Sequence, residues 1–471
     1  MKDIFVEVLS NPNLKYPSEI PYNPPKIYPE IKYDYTPSSE NKAYEIIRDL
    51  FKNLNLDKKN FGTKNWNPLG KFIRKGDTIV IKPNIVKDSK QRSSFLYEAI
   101  VTHPSLIRIM VDYAYISTGN RGIINVIDGP IDITDFNSAV KSNGLLDMIN
   151  FLKSKRIPVN LYDIRSEYLR KLFSFNILGH NLGIYKLTKL KGDPNGYYNF
   201  NLKIHSEFAK VEERSDYLRS TQLVRNPKTA AKMHSNGNHY YGICGSMIKS
   251  DVIINMPKLK THKKLGMTLC LKNFVGVTDP RSWLPHYTEK NNNYGDEYAY
   301  KHKLKNIIFK FIFKVRKINN LFCVQILKIK KKSNLSFASN VSVKGSNPEN
   351  DTIWRTCLDI NKIILYSDKN GDLRSTPQRE ILNFVDGIVG GENDGPMSVD
   401  PVNSKVVMFS NNPLYTDIIA SRMIGVKQNK IIENGLNIQK YKLLEKLPNI
   451  KVSYPLLNFK LPPTWRKNDN N

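Results

Sequence analysis

The sequence predicts an α/β fold, with mostly parallel sheet layers and flanking helices. Two α/β lobes around one cleft, plus a basic helical insertion, are the expected arrangement. Three observations predict it. β-branched apolar runs alternate with helix-period segments from residue 75 onward, and the alternation resumes at residue 251. Apolar residues make up 40% of the 471 residues and aromatics 10%, enough for a sizeable core. A lysine-rich segment of helical period interrupts the pattern between residues 287 and 350.

Residues 1–40 are rich in Pro and Tyr ("YPSEIPYNPPKIYPEIKYDYTP") and read as an extended segment that wraps over the body or stays loose. Residues 41–286 form the first part of the core. "SSENKAYEIIRDLFKNL" is a helix with its cap at Ser38 or Ser39. "GDTIVIKPNIV" is a buried strand, "HPSLIRIMVDYAYIS" a helix and "RGIINVIDGP" a strand ending at Asp128 and Gly129. "NSAVKSNGLLDMINFLKSKRI" is a helix and "PVNLYDIRSE" a strand, while residues 175–235 are less regular. "SDVIINMPKLKTH" restarts the pattern as a strand that Pro257 ends, and "LGMTLCLKNFVGV" is expected to be a helix. Residues 287–350 form the basic insertion. Residues 351–460 return to order as the second part of the core, and 461–471 are a loose tail. There "WRTCLDINKIILYSD" is a helix leading into a strand. "QREILNFVDGIVGGENDGP" is a helix or strand entering a Gly-rich acidic loop, and "SKVVMFSNNPLYTDIIASRMIGV" is strand, turn and helix.

Composition excludes several function classes. The formal charge of +29 suggests nucleic acid, but Lys outnumbers Arg 54 to 18 and the bias is spread over the chain. A solvated basic surface is the expected reading and a nucleic-acid partner is not. Cys244, Cys270, Cys323 and Cys357 show no C-x-x-C spacing, so an iron–sulfur cluster, a zinc ribbon and a disulfide scaffold are not expected. No signal peptide and no apolar run of membrane-spanning length is read, so a cytoplasmic protein is expected. The amphipathic basic stretch 301–332 has the pattern of a helix lying on an anionic membrane surface, which would place the protein peripherally at the inner face. A solvated helix covering the body is the plainer reading.

The most informative stretch is "NMPKLKTHKKLGMTLCLKNFVG", residues 255–276. A strand, a lysine-lined turn at Gly266 and a following helix start would cradle a phosphate or carboxylate. Thr268 and Lys272 would then lie one turn apart. The spacing is not that of a Walker loop, and surface lysines are the competing explanation. Lys82, Asn84 and Asp128 sit at predicted strand ends, where ligands of parallel sheets gather. In "DGIVGGENDGP", Asp386, Glu392 and Asp394 lie among glycines. Asp386 and Glu392 are candidate Mg²⁺ or Ca²⁺ ligands, with a plain acidic turn as the alternative. His103, His239, His262 and His286 could converge only in three dimensions; neither H-E-x-x-H nor G-x-S-x-G is present.

Taken together and in order, "GDTIVIKPNIV", "HPSLI", "DVIINMPKLKTHKKLGMTLCLKNFVGV", "WLPHYTE", "VDGIVGGENDGP" and "NNPLYTDIIASRMIG" resemble the domain of unknown function 362 family, over roughly residues 75–430. The resemblance implies an α/β fold, akin to the two-domain fold of the lactate racemase group. It implies one cleft lined by Lys82, Asn84, His103, Asp128, Lys258, Lys260, His262, Lys272, Asn273, Asp386, Glu392 and Asp417. Other members carry ferredoxin-like cysteine motifs that this chain lacks. The segment "WRTCLDINKIILYSDKNGDLRSTPQREILNFVDG" resembles a branch found among surface-polysaccharide genes. The expected function is an enzyme acting on an anionic small molecule, phosphorylated or carboxylated and sugar-linked. His262, Lys260 and Asp386 are its candidate catalytic groups. Lys82, Asn84, His103, Asp128, Lys258, Thr268, Lys272, Asn273 and His286 are its candidate binding groups. The alternative is a non-catalytic binding or assembly protein that uses the basic insertion on a membrane.

Overall fold

One ten-stranded mixed sheet organises the chain. The computed structural model describes residues 4–87, 94–177, 180–221, 228–288, 296, 335–340, 348–449 and 451–466. Its strands, in chain order, are β1 (Val6–Ser10), β2 (Thr78–Pro83), β3 (Ile123–Asp128), β4 (Val159–Asp163), β5 (Glu167–Ile177), β6 (His180–Lys189), β7 (Tyr197–Asn201), β8 (Leu218–Arg219) and β9 (Tyr240–Cys244). They continue as β10 (Val252–Met256), β11 (Lys258–His262), β12 (Gly266–Thr268), β13 (Tyr287–Thr288), β14 (Leu335–Asn340), β15 (Glu380–Asp394), β16 (Ser398–Val402) and β17 (Val406–Ser410). The large sheet runs β1-β17-β15-β10-β2-β3-β4, with β11 and β16 joined to β15 and β12 to β11.

The pairs β15–β10, β10–β2, β2–β3 and β3–β4 are parallel, whereas β1, β16 and β17 pair antiparallel. Strands β2 and β10 are β-branched runs buried almost throughout, as central strands of a parallel sheet must be. Successive side chains feed opposite faces. Ile79, Ile81, Ile254 and Leu382 join the core under the helices Lys42–Asn53, Pro104–Thr118 and Leu145–Ser154, while Val80, Ile253 and Ile381 join another core on the opposite face. From β2 the chain adds strands outward to β4. From β10 it adds them the other way, to β15 and β17. The reversal falls between β2 and β10, and such a switch point opens a crevice at the carboxyl ends of the strands.

The α/β class is as the sequence predicts, but both halves of the chain enter this one sheet rather than forming two lobes. Other differences have local causes. The first helix is capped by Asn41, not by Ser38 or Ser39. The expected helix over 137–157 breaks at Gly144, which sits at φ +78°. Pro257 does not end the strand run. The chain continues as β11, turns through Gly266 at φ +73° and returns as β12. The helix expected from Gly266 shrinks to Cys270–Asn273, so Thr268 lies on a strand. The acidic Gly-rich segment is no loop; β15 runs through it to Asp394.

The Pro/Tyr-rich start is pinned to the body. β1 pairs with β17, and Tyr33 donates to Asp112 Oδ1 at 2.5 Å. Of the tail, Trp465 donates from Nε1 to the Lys263 carbonyl at 3.0 Å. The basic stretch 301–332 lies outside the described residues. Among the described residues, no helix is long and apolar enough to cross a membrane.

Candidate functional site

At the switch point lies a cavity of about 390 Å³. The end of β2 brings Lys82 and Asn84 to it, and the end of β3 and the loop after it bring Asp128 to Ile133. β11 supplies Lys260 and β12 supplies Thr268. The short helix supplies Lys272 and Asn273, and the chain beyond supplies Gly276, Arg281 and His286. Ser220, Thr221, Pro396 and Met397 complete the wall.

Lys82 and Asp128 form a buried ion pair in this wall. The Lys82 ammonium sits 2.7 Å from Asp128 Oδ1 and donates to the Pro83 carbonyl at 2.7 Å. Asp128 also accepts from the amides of Ile85 and Gly129 at 2.6 and 2.8 Å. Burial pulls the Lys82 pKa down and the Asp128 charge opposes it. Gly276 permits this packing. A Cβ there would lie 2.7 Å from Asp128 Oδ1 and 2.9 Å from Lys82 Nζ. Gly276→Ala is therefore expected to cost about 1–3 kcal/mol through overpacking, read as a lower melting temperature. A variant that melts like the wild type would show that the pair can shift freely.

Arg281 donates to the carbonyls of Gly129 and Pro130 and lies 3.5 Å from Asp132. Lys260 donates to the Ile100 carbonyl at 2.6 Å. Lys272 differs: half-buried, it has neither an ion-pair partner nor a hydrogen-bond partner among the described residues. Burial lowers its pKa, and the neighbouring Lys264 and Lys82 lower it further. Burial, with Lys264 close by, holds His286 neutral with its pKa at about 3. Its Nδ1 lies 3.1 Å from the Leu284 carbonyl, which can only accept, so the proton sits on Nδ1 and Nε2 is left as an acceptor.

The remaining predicted residues lie elsewhere. Lys258 and Asp386 form a second buried pair at 3.0 Å, roofed by Tyr16 from the N-terminal segment. The Tyr16 hydroxyl is 2.6 Å from Lys258 Nζ and 2.5 Å from Asp386 Oδ1. His103 stacks on Tyr16 at 4.1 Å, gives its backbone N–H to Asp386 and caps the helix Pro104–Thr118 through Nδ1. His262 is buried and accepts the Lys264 amide at Nδ1. Burial first, then Lys272 and the lysines flanking it, push its pKa far down, and it is not part of the cavity wall. His239 stands beside Glu212 at 3.2 Å and is not part of the cavity wall.

Asp386 and Glu392, the two candidate metal ligands, lie six residues apart on β15, on either side of an irregularity in its register against β11, and each has partners of its own. Asp386 is bound to Lys258, and Glu392 accepts the Lys460 amide at 2.7 Å. Among the described residues, no three His, Cys, Asp or Glu side chains are grouped to hold a metal ion. Asp417 also stands apart from the cavity and accepts the amides of Cys270 and Leu271.

The sequence reading missed Asp132, Gly276 and Arg281. Each had a signal: Asp132 follows Asp128 by four residues in a strand-end loop, Gly276 closes the segment "LKNFVG", and Arg281 falls between that segment and "WLPHYTE". In comparisons with known proteins, the family model described as Domain of unknown function (DUF362) matches residues 202–422. The motifs "GDTIVIKPNIV" and "HPSLI" lie before that stretch. No curated protein and no solved structure matches the chain.

Proposed function

We propose an enzyme that binds a small anionic molecule in the switch-point cavity and acts on it; residues 202–422 match the domain of unknown function 362 model. Lys272 carries the proposal. It is a cation in the cavity wall with no carboxylate opposite among the described residues, and a ligand's anion would supply one. Lys260 stands in the same wall and donates to the Ile100 carbonyl, and the charges of Lys82 and Arg281 are met by Asp128 and Asp132. The place also supports the reading, because crevices at switch points are where sheets of this kind hold ligands. A volume of about 390 Å³ suits a small molecule.

Lys260 and Lys272 neutralise a phosphate or carboxylate, and Thr268 donates to it. His286, neutral with Nε2 left as an acceptor, takes a hydrogen bond from the bound molecule. Displaced pKa values converging on a cavity favour an enzyme over a passive binder. The non-catalytic alternative would use the same cavity together with the stretch 301–332, which lies outside the described residues.

Titration calorimetry with inorganic phosphate and with malonate tests the anion site. Wild-type protein is expected to bind at least one of them, and Lys272→Met to bind it more than about tenfold more weakly, the loss of one charge-assisted hydrogen bond. Equal affinity in the two proteins would remove Lys272 from the site and the proposal with it.

A further inference from the structure

The geometry points to a ligand that carries a hydroxyl beside its anionic group, with Asn84 as the residue that reads it. This inference rests on the anion-binding reading above and names the other half of the molecule. Asn84 lines the cavity and is 6% exposed, yet its Oδ1 has no hydrogen-bond partner. No partner is found for its Nδ2 among the described residues either. Buried side-chain amides are ordinarily paired, because an unmet one costs stability and contributes nothing to the fold.

The backbone under this amide is fixed. The Asn84 N–H donates to Thr102 Oγ1 at 2.9 Å, the Thr102 N–H donates to the Asn84 carbonyl at 3.0 Å, and Thr102 Oγ1 donates to the Met256 carbonyl at 2.7 Å. The side chain is thus held at the switch point by a rigid support while its own polar atoms stay unmet. A ligand hydroxyl both donates and accepts, so it fits this amide whichever way the group is turned. The nearby carboxylate does not compete for the same role. Asp128 is filled by Lys82, Ile85 and Gly129. Cations on the β11–β12 side and an open amide on the β2 side together describe a polyhydroxylated phosphate or carboxylate.

The test compares three probes on the full chain at constant ionic strength: inorganic phosphate, propyl phosphate and glycerol 3-phosphate. The last two match in length and differ in their hydroxyls. Wild-type protein is expected to bind glycerol 3-phosphate about tenfold more tightly than propyl phosphate, the worth of one net hydrogen bond. Asn84→Leu is expected to bind the two equally, to keep its affinity for propyl phosphate, and to melt no lower than the wild type. Asn84→Ala serves the same comparison if leucine does not fit. Equal binding of the two organic phosphates by the wild type overturns the inference, as does a hydroxyl preference that survives in both variants. If the wild type binds none of the three probes, the anion reading itself has failed. Binding of phosphate without hydroxyl preference fails only the role given to Asn84.

Discussion

Asp386→Ala is expected to destabilise the protein by about 3–5 kcal/mol, while leaving the affinity of the switch-point cavity for phosphate unchanged in the folded fraction. The carboxylate is fully buried and holds four groups at once: the Lys258 ammonium, the Tyr16 hydroxyl and the amides of His103 and Ile388. Truncation leaves a buried lysine without its counter-charge, and that penalty, more than the lost attraction, sets the size of the effect. The pair itself contributes little net stability, because both ions were stripped of water to form it. Asp386→Leu combined with Lys258→Met should therefore recover most of the loss. Tyr16→Phe removes two short hydrogen bonds from the same cluster and should cost about 1–3 kcal/mol. Denaturation midpoints and phosphate titration on the same samples decide the matter. A loss below about 1 kcal/mol, or a folded variant that no longer binds phosphate, would return Asp386 to the site.

The contrast between Asp386 and Asp128 shows what the sequence carried and what it did not. Both are acidic residues in β-branched surroundings, and both were candidates. Asp128 ends a strand that pattern and length made plain, so its position at a sheet's carboxyl edge followed from local order. Lys82 and Asn84 were legible for the same reason. Asp386 lies within a 15-residue strand, where its neighbours Gly387, Gly390 and Gly391 looked like a loop. The glycines serve close packing there. A Cβ on Gly387 would meet Leu259 and Val406, and one on Gly391 would meet the Ala99 carbonyl. Those contacts are long-range, and no local pattern encodes them.

The segment that runs through β11 shows a subtler case. Lys258, Lys260 and His262 alternate with Leu259 and Thr261, which is strand periodicity. The proline before them hid it. Alternation put Lys258 and Lys260 on one side of the strand, but different neighbours receive them: Lys258 meets Asp386 and Tyr16, and Lys260 meets the Ile100 carbonyl and the cavity. Tyr16 lies more than 240 residues earlier in the chain, so the separation of the two lysines into a structural one and a site-lining one was invisible without the fold. The proposed anion site rests first on Lys272, which lies on the short helix beyond β12 and not on β11.

The wall that carries Lys272 depends in turn on Asp417, and its pH response should be measurable. The helix Cys270–Asn273 has no side-chain cap of its own. Asp417, reaching over from the helix Pro413–Ile424, accepts the amides of Cys270 and Leu271 at 2.9 and 3.1 Å. Burial pushes the Asp417 pKa up to about 7, against the pull of those two amides. In the unfolded chain the same carboxyl titrates near 3.9. Between these values the native state keeps a proton that the unfolded state has released, so this group makes stability fall as pH rises. The fall is about 1.4 kcal/mol per pH unit, or about 3 kcal/mol from pH 5 to pH 7, and it levels off above the folded pKa. Asp417→Asn cannot titrate and keeps an acceptor for only one of the two amides. It should be less stable than the wild type at pH 5 and should close or reverse the gap by pH 8. Denaturation midpoints measured at pH 5, 6, 7 and 8 would follow converging curves, whereas parallel curves would mean that Asp417 is ionised throughout. Ionisation at neutral pH would also place a buried negative charge behind the turn that carries Lys272, so the affinity of the cavity for phosphate should respond to the Asn variant at pH 8 more than at pH 5.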